Sequence, residues 1–134
     1  MLRALQHSDL LAVMALYNNG YHMNACNKFR ESTLHFAARK CTPRVVKFML
    51  DIVGSEWILD DIGRTPLHDA CWRSPANFSV VMLLMDCDIN MLFTVDSRGH
   101  SPLDYAHRED WSKWCAFLHV VVDKYWPQSM QENR

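Results

Sequence analysis

Arg64-Thr65-Pro66-Leu67-His68-Asp69-Ala70 is a phrase that this chain repeats. Residues 31–37 read Glu-Ser-Thr-Leu-His-Phe-Ala, and residues 100–106 read His-Ser-Pro-Leu-Asp-Tyr-Ala. The spacing is 33 positions from Ser32 to Thr65 and 36 positions from Thr65 to Ser101. A phrase that returns at this period is typical of a protein built from stacked repeats. The repeated phrase therefore indicates the architecture of the protein, whereas no single residue yet indicates a chemical function.

The phrases also predict where helices begin. Ser32, Thr65 and Ser101 can each cap a helix N-terminus, and proline follows Thr65 and Ser101, where it fits the first helical turn. Turns containing aspartate and glycine precede the second and third phrases, at residues 60–63 and 96–99. We therefore expect each phrase to start the first helix of a repeat unit.

Composition limits the classes of protein that this chain can belong to. Its 134 residues are 49% hydrophobic and 22% charged, which suits one packed domain. The net charge of −1 favours neither nucleic acid nor a membrane surface as partner. Five cysteines without a C-x-x-C pair argue against disulfides and zinc and for reduced thiols inside the cell. No apolar run is long enough for a membrane span, and residues 1–20 do not resemble a signal peptide.

The repeated phrase and the order of elements resemble the ankyrin repeat, and the resemblance covers residues 8–122. The residues that carry the repeat motif are Ser32, His35, Thr65, Pro66, Leu67, His68, Ser101, Pro102, Leu103 and Asp104. The chain departs from the family pattern at Arg30, where glycine is usual, at Thr33, where proline is usual, and at Asp104, where histidine is usual. Residues 86–95 lack the usual hairpin end, and we expect them to be irregular.

The resemblance implies an all-α fold. It is an ankyrin-type α-solenoid of about four stacked helix-loop-helix repeats with short β-hairpin fingers. A single repeat domain would occupy residues 1–126, followed by a polar tail at 127–134. Its units would be a partial repeat at 1–26 and further repeats at 27–59, 60–95 and 96–126. The fingers and first helices would line a concave face that in this family binds other proteins.

His35 and His68 are the first candidates for catalysis or metal binding. We instead expect each ring to bridge its own cap residue to the backbone of the neighbouring repeat, as the resemblance also implies. Asp104 takes the equivalent position in the last repeat. No following repeat has to be bridged there, so a carboxylate that caps the helix can replace the imidazole. No nucleophile elbow, phosphate-binding glycine loop or H-E-x-x-H motif occurs. Cys115 and His119 have the spacing of a metal pair but lack further ligands, so we predict no catalytic, cofactor or metal residue.

The repeat register predicts which residues face a partner. They lie in the turns and at the ends of the first helices, where Lys and Arg outnumber Asp and Glu. Aromatic residues beside arginine are typical of interface hot spots, and Phe29 and Trp72 have that setting. An ordinary solvated face is the alternative interpretation. The predicted partner-binding residues are Lys28, Phe29, Arg39, Lys40, Ile62, Arg64, Trp72, Arg73, Arg98, His100 and Arg108.

These patterns together predict a non-catalytic protein–protein interaction module or scaffold. Its partner would be a protein, with an acidic segment as the expected ligand, and neither a nucleic acid nor a membrane. We expect a monomer in the cytoplasm or nucleus. The alternative is a regulatory or targeting fragment of a larger multidomain protein, and the missing motifs disfavour an enzyme.

Overall fold

The computed structural model describes residues 1–126, and the polar tail predicted for residues 127–134 lies outside the described residues. The α-helices are α1 (Leu2–Gln6), α2 (Leu10–Asn18), α3 (Thr33–Lys40), α4 (Pro43–Phe48), α5 (Pro66–Trp72), α6 (Phe78–Cys87) and α7 (Trp111–Tyr125). Three 3₁₀ helices, Ile89–Phe93, Pro102–Tyr105 and Arg108–Asp110, lie between α6 and α7. A π-helical turn, Met49–Val53, extends α4.

The helices stack in two rows. α1, α3 and α5 lie side by side in the first row, which the 3₁₀ helix Pro102–Tyr105 continues. α2, α4 and α6 form the second row. α7 packs on α6, because the ring of Phe78 lies 4.9 Å from that of Trp114 and 4.7 Å from that of Phe117. This arrangement confirms the predicted all-α solenoid of helix-loop-helix units.

Small and branched apolar residues form the contacts between and within the rows. Ala37, Ala38 and Ala70 are fully buried in α3 and α5, where short side chains allow close helix packing. Val45 of α4 and Val80 of α6 are fully buried in the second row. Within residues 1–126, every helix falls short of the length and apolar character that a bilayer crossing requires.

Side-chain caps start several of the helices. Thr65 Oγ1 accepts hydrogen bonds from the N–H groups of Leu67 and His68, at 3.2 and 3.4 Å. The Asn77 side chain starts α6 in the same way, by accepting from the Val80 N–H at 3.2 Å. Such caps satisfy N–H groups that have no partner inside the helix. The expected helix start at Thr65 is therefore confirmed.

The third phrase starts a helix as predicted, but a short 3₁₀ helix and not an α-helix. Ser101 and Asp104 do form a capping box, in which Asp104 Oδ2 accepts from the Ser101 N–H at 2.9 Å. A short 3₁₀ helix, Pro102–Tyr105, follows it. The chain then leaves the helix, and the Trp111 indole donates to the Ala106 carbonyl at 3.0 Å. That bond occupies an oxygen that a longer helix would use for its own backbone.

Residues 86–95 are more regular than predicted. α6 continues to Cys87, and the 3₁₀ helix Ile89–Phe93 follows it. The Asp88 side chain caps this second helix by accepting from the Asn90 N–H at 2.9 Å. The expectation of an irregular segment was therefore wrong, because one aspartate cap is enough to start a short helix here.

The turns between repeats are tight loops and not the predicted β-hairpin fingers. In the described part of the chain, one isolated antiparallel bridge between Cys26 and Ser32 is the strand-like pairing that remains. The Asp60 carboxylate shows why, since its Oδ1 accepts from the N–H groups of Ile62 and Arg64 at 3.1 and 2.8 Å. One side chain thus takes up two backbone donors of the turn, and one backbone bond, from the Asp60 N–H to the Arg64 carbonyl at 3.0 Å, joins its two ends.

The three turns share this geometry. The residues that accept two backbone N–H groups from their own turn are Asn27, Asp60 and Asp96. Three positions later the backbone is left-handed, with φ of 60° at Arg30, 81° at Gly63 and 82° at Gly99. Successive turns are joined by backbone bonds from Asp61 N–H to the Phe29 carbonyl, 2.9 Å, and from Ser97 N–H to the Ile62 carbonyl, 2.8 Å.

His68 joins its repeat to the next one. Its ring Nδ1 accepts from the Thr65 N–H at 3.0 Å. Its Nε2 lies 3.0 Å from the His100 carbonyl of the following turn, to which it donates. A backbone N–H can only donate and a carbonyl can only accept, so both bonds require a neutral ring with its hydrogen on Nε2.

His35 makes the same bridge one repeat earlier. Its Nδ1 accepts from the Ser32 N–H at 3.1 Å, and its Nε2 donates to the Arg64 carbonyl at 2.9 Å. Burial lowers the pKa of both His35 and His68, although the bonded carbonyls oppose that change. A lowered pKa keeps the rings neutral near pH 7, which is the form that the bridge requires.

Replacing His68 tests the bridge. We expect His68→Ala to lower the free energy of unfolding by about 1–3 kcal/mol, because it removes the partners of the Thr65 N–H and the His100 carbonyl. Urea unfolding followed by circular dichroism at pH 7.5 measures the change. His100→Ala is the matched control, since it removes an exposed side chain and leaves the bonded carbonyl in place. An unchanged unfolding midpoint in His68→Ala would contradict the structural role.

Candidate protein-binding groove

A groove of about 440 Å³ lies where α3 and α5 meet the turns. We call it the arginine groove, because it combines three guanidinium groups with two aromatic rings, one imidazole and one carboxyl group. The lining residues are Arg39, Arg64, His68, Asp69, Trp72, Arg98 and Tyr105. Four predicted partner-binding residues, Arg39, Arg64, Trp72 and Arg98, therefore lie around one cavity.

Trp72 provides the largest exposed apolar surface of the groove. It is the last residue of α5, and its side chain is 52% exposed. The Trp72 ring lies 4.6 Å from the His107 ring, and His107 Nε2 donates to the Trp72 carbonyl at 2.6 Å. Trp72 also borders a neighbouring cavity of about 830 Å³, together with Lys40 and Arg73. His107 therefore holds an aromatic ring that remains open to solvent between two cavities.

Arg39 is held by carboxylates from two repeats. Its Nη1 donates to Glu31 of the preceding turn and to Asp69 Oδ2 of α5, the latter at 2.9 Å. The guanidinium also lies 5.6 Å from the centre of the Phe36 ring. These contacts fix the position of Arg39 before any ligand arrives.

Arg64 and Arg98 differ in how freely they can move. Arg64 Nε donates to Asp60 Oδ2 at 2.8 Å, and the Asp60 side chain is almost completely buried. Arg98 is exposed, and among the described residues its side chain has no hydrogen bond or ion pair. The groove thus offers two arginines with fixed positions and one that can adjust to a ligand.

Arg73 was predicted to contact a partner, but its side chain binds the backbone of this chain. Its Nη1 donates to the carbonyls of Ala38 and Cys41 at 3.1 and 2.8 Å, where α3 ends. Burial lowers the pKa of the Arg73 guanidinium. The side chain therefore supplies a cap for carbonyl groups that α3 leaves unpaired.

The remaining predicted partner-binding residues lie outside the arginine groove. They are Lys28, Phe29, Lys40, Ile62, His100 and Arg108. Lys28 Nζ lies 5.1 Å from the centre of the exposed Phe29 ring, and the Arg108 guanidinium lies 5.4 Å from that of Trp111. His100 is exposed and Ile62 is partly buried. These residues can extend a contact surface beyond the groove but do not line it.

Asp69 lies at the base of the arginine groove, with a side chain only 5% exposed. Burial raises the pKa of its carboxyl to about 7, although the Arg39 guanidinium acts in the opposite direction. A carboxyl with so raised a pKa takes up a proton near neutral pH more easily than an ordinary aspartate does.

The predicted partner-binding residues did not include Asp69 and Tyr105, which line the groove, or His107, which contacts Trp72. Asp69 follows His68 directly inside the repeated phrase, next to the buried Ala70. An acidic residue between the apolar residues of the repeated phrase is the signal that could have found it. Nothing comparable in the sequence identifies Tyr105 and His107, because their positions depend on how the last repeat turns away from its short helix.

Two rows of helices, joined by tight turns that border a groove, define a helical-repeat scaffold. Comparison of sequences gives the family of this scaffold, because the sequence model of ankyrin repeats, in three copies, matches residues 1–92. The chain belongs to the ankyrin repeat family. Ankyrin repeats are protein-interaction modules, and the repeat domain is non-catalytic.

The chain is also similar to part of a much longer protein. Diacylglycerol kinase iota from Rattus norvegicus and from Homo sapiens are each 32% identical to it over 123 residues. The match covers 88% of this chain but 11% of each kinase. The chain therefore spans a small part of the length of the curated relatives that it matches.

Arg73 provides a test that separates folding from binding. We expect Arg73→Ala to lower the free energy of unfolding by about 1.5–3 kcal/mol, because two carbonyls lose a charged donor. Arg98→Ala is the matched control, and its effect should stay within about 0.5 kcal/mol because the side chain is exposed. Urea unfolding of the two variants measures both values. Equal stabilities would show that Arg73 does not support the end of α3.

Asp69 predicts a specific dependence of stability on pH. Its pKa is raised from the ordinary 3.8 to about 7, so the folded state holds a proton that the unfolded state releases. The resulting stabilisation is full below pH 3.8 and is lost as the pH rises through about 7. Wild-type protein should therefore gain stability relative to Asp69→Asn as the pH falls from 8 to 5.

Urea unfolding of both proteins at several pH values measures this difference. His35 and His68 are present in both proteins, so their own titration cancels in the comparison. A difference that is constant with pH would show that Asp69 has an ordinary pKa.

Proposed function

We propose that this chain is a protein-interaction module whose arginine groove receives an acidic segment of a partner protein. The observation that carries the proposal is that an exposed Trp72 ring lies in one groove with the guanidinium groups of Arg39, Arg64 and Arg98. Arginine binds carboxylates through paired N–H donors, and tryptophan supplies apolar contact area. An acidic segment that also carries apolar side chains fits both features.

The fixed positions of two arginines support this ligand. Asp60 holds Arg64, while Glu31 and Asp69 hold Arg39. An arginine that is already ordered loses less conformational entropy when a ligand binds. Arg98 can then close on the ligand from the third turn.

Carboxylates in the turns argue against nucleic acid as the ligand. Glu31 and Asp61 lie in the turns that border the groove, and the chain has a net charge of −1. A nucleic acid would bring a dense row of phosphates past these acidic residues. A protein segment with a few carboxylates can be placed on the arginines alone.

Variants at Trp72 and Arg98 test the proposal once a partner has been captured from a cell extract and its binding segment has been synthesised. We expect Trp72→Ala to weaken binding by about 2 kcal/mol or more, roughly thirtyfold in Kd, because it removes an aromatic anchor that the ligand would bury. Arg98→Glu should slow association and change its salt dependence. Calorimetry and surface plasmon resonance measure these effects.

Lys47→Glu is the control for charge reversal at a distance. Lys47 is exposed on α4, where it pairs with Asp51, and it lies outside the arginine groove. Loss of binding in Lys47→Glu, with no change in Trp72→Ala and Arg98→Glu, would place the partner on another surface and refute the proposal.

A second candidate function is that of a regulatory or targeting region in a larger polypeptide. The match to a small part of diacylglycerol kinase iota supports it. An antibody against this region would then detect a protein much longer than 134 residues in the source cells. Detection of a protein of this length alone would refute it. In both cases we expect no turnover by the purified domain.

We further propose that the protein acts as a monomer in the cytoplasm or nucleus. All five cysteines carry free thiols, of which Cys26, Cys87 and Cys115 are exposed. Exposed free thiols are typical of a reducing compartment.

A further inference from the structure

Asp69 has one carboxyl oxygen left for a ligand. Oδ2 accepts from Arg39 at 2.9 Å. Across residues 1–126, Oδ1 makes no hydrogen bond, and Trp114 Nε1 is the one side-chain polar atom that is both unpartnered and inaccessible to solvent. Oδ1 is therefore not completely shielded from solvent, and Asp69 lines the arginine groove.

We propose that the arginine groove binds a carboxylate of the partner together with a proton, which Asp69 takes up from solvent. The inference rests on the proposed function, because it assumes that an acidic segment enters this groove. It adds the chemistry of the site: the protonated Asp69 carboxyl donates a hydrogen bond to the incoming carboxylate, and Arg64 and Arg98 neutralise the charge of that carboxylate.

The charges around Asp69 explain why the proton is needed. The charged and titratable groups around it are Glu31 and Arg39 from the first full repeat, Asp60, Arg64 and His68 from its own repeat, and Arg98 and Tyr105 from the next one. Glu31 and Asp60 already disfavour a negative charge on Asp69, and Arg39 and Arg64 favour it. A ligand carboxylate adds a further negative charge and engages guanidinium groups that stabilise the ionised form.

A proton on Asp69 removes the resulting repulsion. Because the pKa of Asp69 is about 7, the protonated form costs little near neutral pH. An ordinary aspartate would resist protonation there and would repel the ligand. By linkage, a ligand that favours the protonated form binds more tightly as the pH falls.

A blocked tetraglutamate peptide is the probe for this site. Binding is followed by NMR chemical shifts of the Trp72 indole, and the ¹³C shift of the Asp69 carboxyl is titrated with and without peptide. We expect the peptide to raise the Asp69 pKa from about 7 to roughly 8, and to bind about fivefold more tightly at pH 6 than at pH 8. Blocked tetraglutamine should not shift the Trp72 signal.

Three variants identify the groups involved. Asp69→Asn replaces the carboxyl with an uncharged group of the same shape, so binding should remain. The affinity should then depend less on pH, because only the histidines still titrate in this range. Arg98→Gln should weaken binding at both pH values, whereas Lys47→Gln, at an exposed position of α4, should not. Circular dichroism establishes that each variant folds. The carboxyl titration of the wild-type protein tests proton uptake by Asp69 without using any variant.

Two results would overturn the inference. Tetraglutamate could bind at Trp72 without changing the Asp69 pKa, which would exclude proton uptake and leave the proposed function intact. Alternatively, it could fail to bind at Trp72 at any pH, which would show that the groove is not a carboxylate site. The comparison of Trp72→Ala with Lys47→Glu on the captured partner would then decide the proposed function separately.

Discussion

The hydrogen bonds of two neutral imidazoles hold the repeats of this protein in register. Each ring satisfies the N–H of its own cap residue and a carbonyl of the following turn, as His68 does between Thr65 and His100. The bond fixes the first helix of one repeat and the turn of the next at the same time. The distance between successive turns therefore depends on it, and so does the groove that those turns border.

The sequence predicted the structural features that recur in every repeat. It did not predict the features that depend on a contact made at one place only. Period and capping residues were enough for the stacked helices, because both are local or periodic properties. The short helix after Ser101 was not predictable, since it ends where the Trp111 indole binds the Ala106 carbonyl. Hairpins were expected where Asp60 instead binds its own turn.

The residues that line the groove were predicted less well than the fold for a related reason. Repeat register indicates which positions face outward, and it correctly gave the exposed Trp72 and Arg98. It does not indicate which arginines already bind other groups of the same chain. Arg73 binds carbonyls at the end of α3, and Arg39 binds acids of two repeats, because of contacts between residues that are distant in the chain.

The three turns have one backbone shape and unrelated tips. A single side chain at Asn27, Asp60 or Asp96 sets that shape from within the turn. The tips Lys28-Phe29, Asp61-Ile62 and Ser97-Arg98 are consequently free to differ in charge and hydrophobicity. Mutations at these six positions can alter what the surface recognises while the scaffold stays the same. Because the residues that set the turn are separate from the tips, natural selection or a combinatorial library can vary the tips without first having to restore the stability of the fold.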